Sequence, residues 1–353
     1  MNSEPPNRSV HPTSATARRS RPAAALAVPA LGFGGAALGN LYHALSDQSA
    51  AQAIEQALAL GVRYFDTAPF YGYGLSERRL GAALGGPTPD GVIISTKVGR
   101  RIMPAEDGAA AGDGFEVRGQ RARFDYSREG VLRSLESSLE RLRRTRVDIL
   151  LLHDVGRETH GAQHERMLRQ ALEEALPAMA HLKATGVCRA IGIGVNEAAV
   201  CLEILPRFPL DYLLLAGRYT LLEQNLGATG PGGGVLEEAL RRGVGVLIGG
   251  PFNSGLLAAP NAPGETYNYL PVDVATRQRA ERVYQICAEE GVDVGAAALQ
   301  FPLAHPAVVS VIAGIRSAQE AASTVERTRT PLPASLWERL RSAGVLAAAV
   351  PTP

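Results

Sequence analysis

Eight short apolar runs, each followed by a stretch of helical spacing, restrict what this chain can fold into more than any other feature. The runs are ALGFG (30–34), VRYFD (62–66), VIISTK (92–97), VDILLLH (147–153), RAIGIGVN (189–196), DYLLLAG (211–217), VGVLIG (244–249) and VVSVIAG (308–314). Most lack polar–apolar alternation, as strands buried on both faces do. Between them SAAQAIEQALALG (49–61), SREGVLRSLESSLERLRR (127–144), ALEEALPAMAHLKATG (171–186), VLEEALRRG (235–243) and ATRQRAERVYQICAEEG (275–291) carry apolar residues at helical spacing. Several of these end in Gly, which suits a helix C-terminus turning into the next strand. Strand and helix alternating eight times predicts an α/β fold, a closed (β/α)8 TIM barrel rather than an open sheet. An open dinucleotide-binding sheet would call for GxGxxG, and GFGGAALG (32–39) fails at Ala37.

Composition narrows the partners. A chain of 353 residues, 46 % hydrophobic, can bury one large core, placed here at residues 29–345. Residues 1–28 are rich in Pro, Ser and Arg without a signal peptide's apolar core, and read as a disordered tail. The net charge of +1 is spread with both signs interspersed, which favours a small-molecule substrate over nucleic acid or a membrane surface. No apolar run reaches the roughly 18 residues of a membrane span. The expectation is a cytoplasmic monomer or small homo-oligomer. Cys188, Cys201 and Cys287 form no CxxC pair and lie near no His cluster, so buried thiols are expected, with no disulfide framework and no metal site.

Two segments are longer than ordinary connections: 99–126 after the third strand and 250–274 after the seventh. Both belong at the carboxyl face of a barrel, where long loops are commonly functional.

Asp66, Lys97, His153 and Asn196 fall at the carboxyl ends of strands two to five, and so on one rim. Lys97 is one of only two lysines among 36 Lys and Arg residues, which suggests a need for a compact ammonium that Arg cannot replace. Asp66 could simply cap a turn, and His153 could be a satisfied core histidine; their convergence with Lys97 argues for more. Tyr71, in a Gly-rich turn just after Asp66, can reach the same space. An ammonium beside it is expected to lower the phenol's pKa from its ordinary value near 10, with Asp66 holding the ammonium. Such a set moves one proton at one oxygen. Alcohol or carbonyl redox chemistry also needs a hydride, which no side chain carries, so a nicotinamide cofactor is expected.

At these residues the sequence resembles the aldo-keto reductase superfamily, whose Asp, Tyr, Lys and His tetrad matches Asp66, Tyr71, Lys97 and His153. DTAPFYGYGLSERRLG carries the likeness most specifically. LGFGGAALGNLY (31–42), HDVGRETHG (153–161), IGIGVNE (191–197), AGRYTLLEQ (216–224) and GGPFNSGLLA (249–258) resemble the D-threo-aldose 1-dehydrogenase branch, which includes L-fucose dehydrogenases. Relatives of the branch include L-galactose and pyridoxal 4-dehydrogenases. The resemblance implies oxidation of an aldose's anomeric hydroxyl to the lactone with NAD(P)+, Tyr71 taking the proton and Asn196 holding the nicotinamide carboxamide. An NADPH-dependent reductase of small aldehydes is the alternative, and a cofactor-sensing subunit without chemistry is a third.

The family pattern is incomplete around the cofactor. The Ser that usually precedes Asn196 is Val195, the Gln common at the end of strand six is Ala216, and the stacking aromatic falls at Gly249 or Gly250. Gly249, Pro251 and Phe252 are expected at the cofactor. So are Gly314, Arg316 and Glu320, where many NADPH-dependent members have basic residues. Glu320 would repel a 2′-phosphate and favours NAD, while Arg316 keeps NADP open. Asn40, Tyr42, Phe70 and Tyr73 are candidates for lining a sugar pocket.

Overall fold

The computed structural model describes residues 26–85, 90–105, 113–224, 234–258, 266–267 and 270–353. All eight apolar runs are strands: β1 (Leu31–Gly34), β2 (Tyr64–Asp66), β3 (Ile93–Val98), β4 (Ile149–His153), β5 (Ala190–Val195), β6 (Tyr212–Ala216), β7 (Gly245–Gly249) and β8 (Val308–Gly314). Each pairs in parallel with its sequence neighbours, and β8 pairs with β1, so the sheet closes into a barrel with helices outside. The five stretches of helical spacing are helical: Asp47–Ala59, Arg128–Leu142, Ala171–Ala184, Val235–Arg242 and Val274–Glu289. Side-chain caps at Ser46, Ser127 and Asp273 satisfy an orphan amide at the start of three of them. Helices Leu75–Leu84, Arg157–His160, His164–Gln170, Ala199–Ile204, Val294–Gln300, Ala318–Arg329 and Ala334–Ser342 lie between and after them.

Strand side chains alternate between the barrel interior and the helix-facing side. Successive interior residues are Tyr64 and Asp66 on β2, Ile93, Ser95 and Lys97 on β3, and Ile149, Leu151 and His153 on β4. The lower layers form an apolar plug that includes Tyr64, Ile93, Ile149, Leu151, Tyr212, Leu214, Leu247 and Ile312. Polarity rises toward the last layer, where β2 to β4 end in Asp66, Lys97 and His153, with Ser95 below them as the polar step from the plug. On β6 to β8 the same layer holds Ala216, Gly249 and Gly314.

Of the stretch read as a tail, Leu26 to Val28 are placed, which moves the boundary drawn at 28 back. Leu26 is buried in the plug, and its carbonyl accepts from Tyr212. The apolar side chain gains by closing the barrel's base. Residues 1–25 lie outside the described residues, as do 106–112, 259–265 and 268–269 of the two long excursions. Placed chain also continues past 345: Leu346 is buried, and Arg341 Nη2 donates to Thr352 Oγ1 at 2.7 Å. The excursion after β3 is not all loop, for Arg100–Pro104 and Gln120–Phe124 pair as an antiparallel hairpin. All three cysteines are free and buried. Among the described residues no helix is long and apolar enough to cross a membrane.

Candidate active site

The polar residues of β2 and β3 form one connected line inside the barrel. Tyr64 and Ser95 share a hydrogen bond of 3.1 Å, Ser95 Oγ donates to Asp66 Oδ1 at 2.6 Å, and Lys97 Nζ donates to Asp66 Oδ2 at 2.8 Å. The ammonium's remaining donors go to the Thr67 carbonyl at 3.0 Å and the Tyr71 hydroxyl at 3.1 Å. Lys97 is 1 % exposed and Asp66 3 %, so this is a buried, fully bonded ion pair. Gly194 on β5 makes room for it: a methyl there would lie 3.2 Å from Lys97 Cε.

Tyr71 is delivered by a turn that only Gly permits. Gly72 has φ +61°, and a Cβ on it would lie 2.3 Å from the Gly39 carbonyl oxygen; one on Gly39 would lie 2.4 Å from the Tyr71 carbonyl carbon. Ser76 and Glu77, just beyond, lock the turn to the barrel. Ser76 Oγ donates to the Gly35 carbonyl at 2.7 Å, and buried Glu77 accepts from Thr96 Oγ1 at 2.7 Å and Arg141 Nε at 2.6 Å.

The expected acidification of Tyr71 is reversed. Its pKa is raised well above the ordinary phenol value, first by burial and then by the carboxylates of Asp66 and Asp154; Arg100 opposes the shift in part. The physical reason is that burial penalises a phenolate, and the two carboxylates add to that penalty more than the Arg100 cation relieves it. The phenol is protonated at neutral pH. His153, 6 % exposed, has its pKa driven well below the ordinary value by burial and by the Arg100 and Lys97 cations, and is neutral. Its ring lies edge-on to Tyr71 with centroids 6.1 Å apart. A protonated phenol and a neutral imidazole at one open mouth suit a proton transfer at a substrate oxygen.

The walls come partly from residues foreseen and partly from others. Phe70 lines the mouth, 6.1 Å from the His153 ring. Tyr73 is buried with its hydroxyl bonded to Asp113, and Asn40 Oδ1 accepts from Leu45 N at 3.0 Å and Arg79 Nη1 at 2.8 Å, so both hold loops in place. Tyr42 has φ +63° and packs toward Gly114. Phe115, which the sequence reading passed over, stacks on Tyr71 at 6.1 Å and meets Phe70 edge-on at 5.3 Å. It lies in the excursion after β3, which therefore reaches over the tetrad. Arg100 and Asp154 were passed over as well. They form an ion pair beside His153, Asp154 buried and Arg100 half-buried, and Asn196 Nδ2 donates to Asp154 Oδ1 at 3.2 Å. The signal was present in the chain, since Asp154 follows His153 directly and Arg100 lies three residues after Lys97.

A groove of about 840 Å³ between helices, lined by Leu132, Leu135, Leu139 and Leu182, is on the outside of the barrel and holds none of the tetrad.

A model of the Aldo/keto reductase family matches residues 30–344. The chain belongs to the aldo/keto reductase family. It is 38 % identical over 332 residues to pyridoxal 4-dehydrogenase of Microbacterium luteolum, covering 91 % of this chain and 95 % of that one. It is 38 % identical over 338 residues to D-threo-aldose 1-dehydrogenase of a Pseudomonas species, covering 94 % and 97 %. Among solved structures, an aldo-keto reductase of Bacillus halodurans in its holo form superposes with a TM-score of 0.70 at 27 % identity, covering 94 % and 97 %.

Aldo/keto reductases work with NAD(P)(H), and the mouth of this barrel fits such a group. The top layer of β6 to β8 has no bulk: a Cβ on Gly314 would meet nothing within 4 Å, and one on Gly250 only the Gly217 nitrogen at 3.7 Å. Nearby Asn253, 3 % exposed at φ +47°, has neither side-chain oxygen nor nitrogen bonded among the described residues. A buried amide left that way costs free energy unless a ligand or water completes it. Pro251 is buried and Phe252 half-buried in the same turn, with the Arg327 guanidinium 5.8 Å from the Phe252 ring. Arg316 and Glu320 are bonded to each other, Nε to Oε1 at 2.7 Å and the Arg316 amide to Oε2 at 3.0 Å.

Proposed function

We propose that this enzyme oxidises the anomeric hydroxyl of an aldose of the L-fucose, L-galactose or D-arabinose type to its lactone, with NAD as the preferred cofactor. The observation that carries the reading is the Asp66–Lys97–Tyr71 line ending beside a neutral His153 and an open, Gly-lined cradle. When bound, the nicotinamide supplies the site for the hydride. To Asn196, Gly249, Pro251, Phe252, Asn253, Gly314, Arg316 and Glu320 we assign the holding of the cofactor. The chain's own work is then confined to one oxygen. His153 donates a hydrogen bond to it, the Tyr71 hydroxyl exchanges its proton, and Lys97 carries the charge change against Asp66.

Pairing with Glu320 leaves Arg316 less able to take a 2′-phosphate, which supports NAD over NADP. The high pKa of Tyr71 favours a second reading, reduction of an aldehyde, pyridoxal-like ones included, because reduction uses the phenol already protonated. In the oxidising direction the phenol must first lose its proton. We place the enzyme in the cytoplasm.

The test is a screen of L-fucose, L-galactose, D-arabinose and pyridoxal with NAD+ and NADP+, alongside the reverse reaction with NADH and NADPH. Sugar-dependent NADH formation, abolished in Tyr71→Phe while cofactor binding persists, is the expected result. Turnover surviving in Tyr71→Phe, or reduction of aldehydes with no sugar oxidised, would overturn it.

A further inference from the structure

The Arg100–Asp154 pair is the charged feature at the mouth that the tetrad chemistry leaves unused. Asp154 is 4 % exposed and has φ +49°, a left-handed conformation uncommon for a residue with a side chain. That turn sets its carboxylate back toward the mouth, with Oδ2 3.5 Å from His153 Nε2. Arg100 reaches the same carboxylate from the first position of the hairpin after β3. Its guanidinium is clamped between two aromatic faces, 4.0 Å from the Phe70 centroid and 4.5 Å from that of Phe124, its partner across the hairpin. The Arg100 Nε, though buried, donates to nothing among the described residues. A planar fork held on both sides with an N–H to spare, beside a carboxylate that can accept further bonds, is a donor–acceptor pair waiting for a hydroxyl.

We propose that Arg100 and Asp154 form a specificity element that binds the oxygen on the carbon adjacent to the reacting one, selecting substrates with an oxygen at that position. This rests on the dehydrogenase reading above. The geometry follows from the spacing. A substrate oxygen bonded to His153 Nε2 has its gauche neighbour on the next carbon about one hydrogen-bond length away, and Asp154 Oδ2, 3.5 Å from the same nitrogen, is within reach of that neighbour. The neighbouring hydroxyl donates to Asp154 and accepts from Arg100. A substrate lacking it leaves the buried Asp154 carboxylate and the half-buried Arg100 guanidinium without that bond, and sites built this way reject such analogues strongly. The excursion after β3 thus carries the selective residue on a hydrogen-bonded hairpin.

The experiment compares kcat/KM for D-arabinose against 2-deoxy-D-ribose, its 2-deoxy counterpart, and for L-galactose against 2-deoxy-L-galactose. The wild-type enzyme should favour the 2-hydroxy sugar by about tenfold to a hundredfold. Asp154→Asn and Arg100→Gln should each pull that ratio toward one, chiefly by raising KM for the 2-hydroxy sugar. Equal wild-type rates on both members of a pair would overturn the inference, and that comparison needs no variant to fold. An undiminished ratio in correctly folded variants would do the same. If the wild type oxidises none of these sugars but reduces an unsubstituted aldehyde with NADH, the dehydrogenase reading fails instead. If it reduces 2-hydroxy aldehydes no better than unsubstituted ones, the inference fails with it.

Discussion

Replacing Lys97 by Met tests the buried ion pair without reference to any substrate. The stem keeps nearly its volume, so packing against Gly194 is preserved, and only the ammonium is lost. Asp66 then keeps Ser95 Oγ at 2.6 Å on one oxygen, while the other, formerly 2.8 Å from Nζ, faces a thioether-bearing chain. Stranding one member of a buried pair costs about 3–5 kcal/mol. Because both groups are almost fully buried, solvent screening does not discount the figure. At about 2 °C per kcal/mol for a domain of this size, the melting temperature should fall by roughly 6–10 °C. The double variant Asp66→Asn with Lys97→Met removes both charges and should recover a substantial part of that loss, giving a coupling energy above about 1 kcal/mol. Calorimetry or denaturant melts of the four proteins measure it. A single variant melting within about 2 °C of wild type would refute the reasoning, as would a double variant no more stable than Lys97→Met.

Three further outcomes are expected. Gly39→Ala puts a methyl 2.4 Å from the Tyr71 carbonyl carbon, so the backbone carrying the phenol must move; kcat should drop at least about tenfold with the cofactor Kd little changed, and full activity would contradict the account. The pH dependence of stability follows from buried groups on both sides of neutrality. Tyr64, Tyr71 and Tyr126 all have pKa values raised well above the phenol norm by burial. The folded state therefore keeps protons that the unfolded chain releases near pH 10, and stability is lost as pH climbs beyond about 10, with a slope approaching about 4 kcal/mol per unit for three groups. His153 is depressed, so its contribution is present above about pH 6.5 and is lost as pH falls below it. A denaturant midpoint constant from pH 9 to 11 would disagree. Oxidation rates should likewise still be rising at pH 10, for the same reason at Tyr71.

Asp66, Lys97 and His153 could be read from the chain because each ends an apolar run, and the two-residue period of a strand places whatever ends the run at the rim. Arg100 and Asp154 could not be paired that way. They stand 54 positions apart, and their meeting depends on a hairpin, Arg100–Pro104 with Gln120–Phe124, inside a stretch that reads as loop. Phe115 escaped for the same reason. Leu26 was hidden by the Pro- and Ala-rich residues before it, since its burial depends on the hole it closes.

What the sequence by itself determined is the closed barrel, from eight doubly apolar strands alternating with helices, and the meeting of Asp66, Tyr71, Lys97 and His153 at one rim. What only the tertiary structure decided is the protonation of Tyr71 and the company around it. Strand periodicity is local and survives in one dimension, whereas a pKa sums burial and charge over groups from distant parts of the chain. Asp66 neutralising Lys97, Asp154 facing the phenol and Phe115 stacked over it are visible only once the chain has closed on itself.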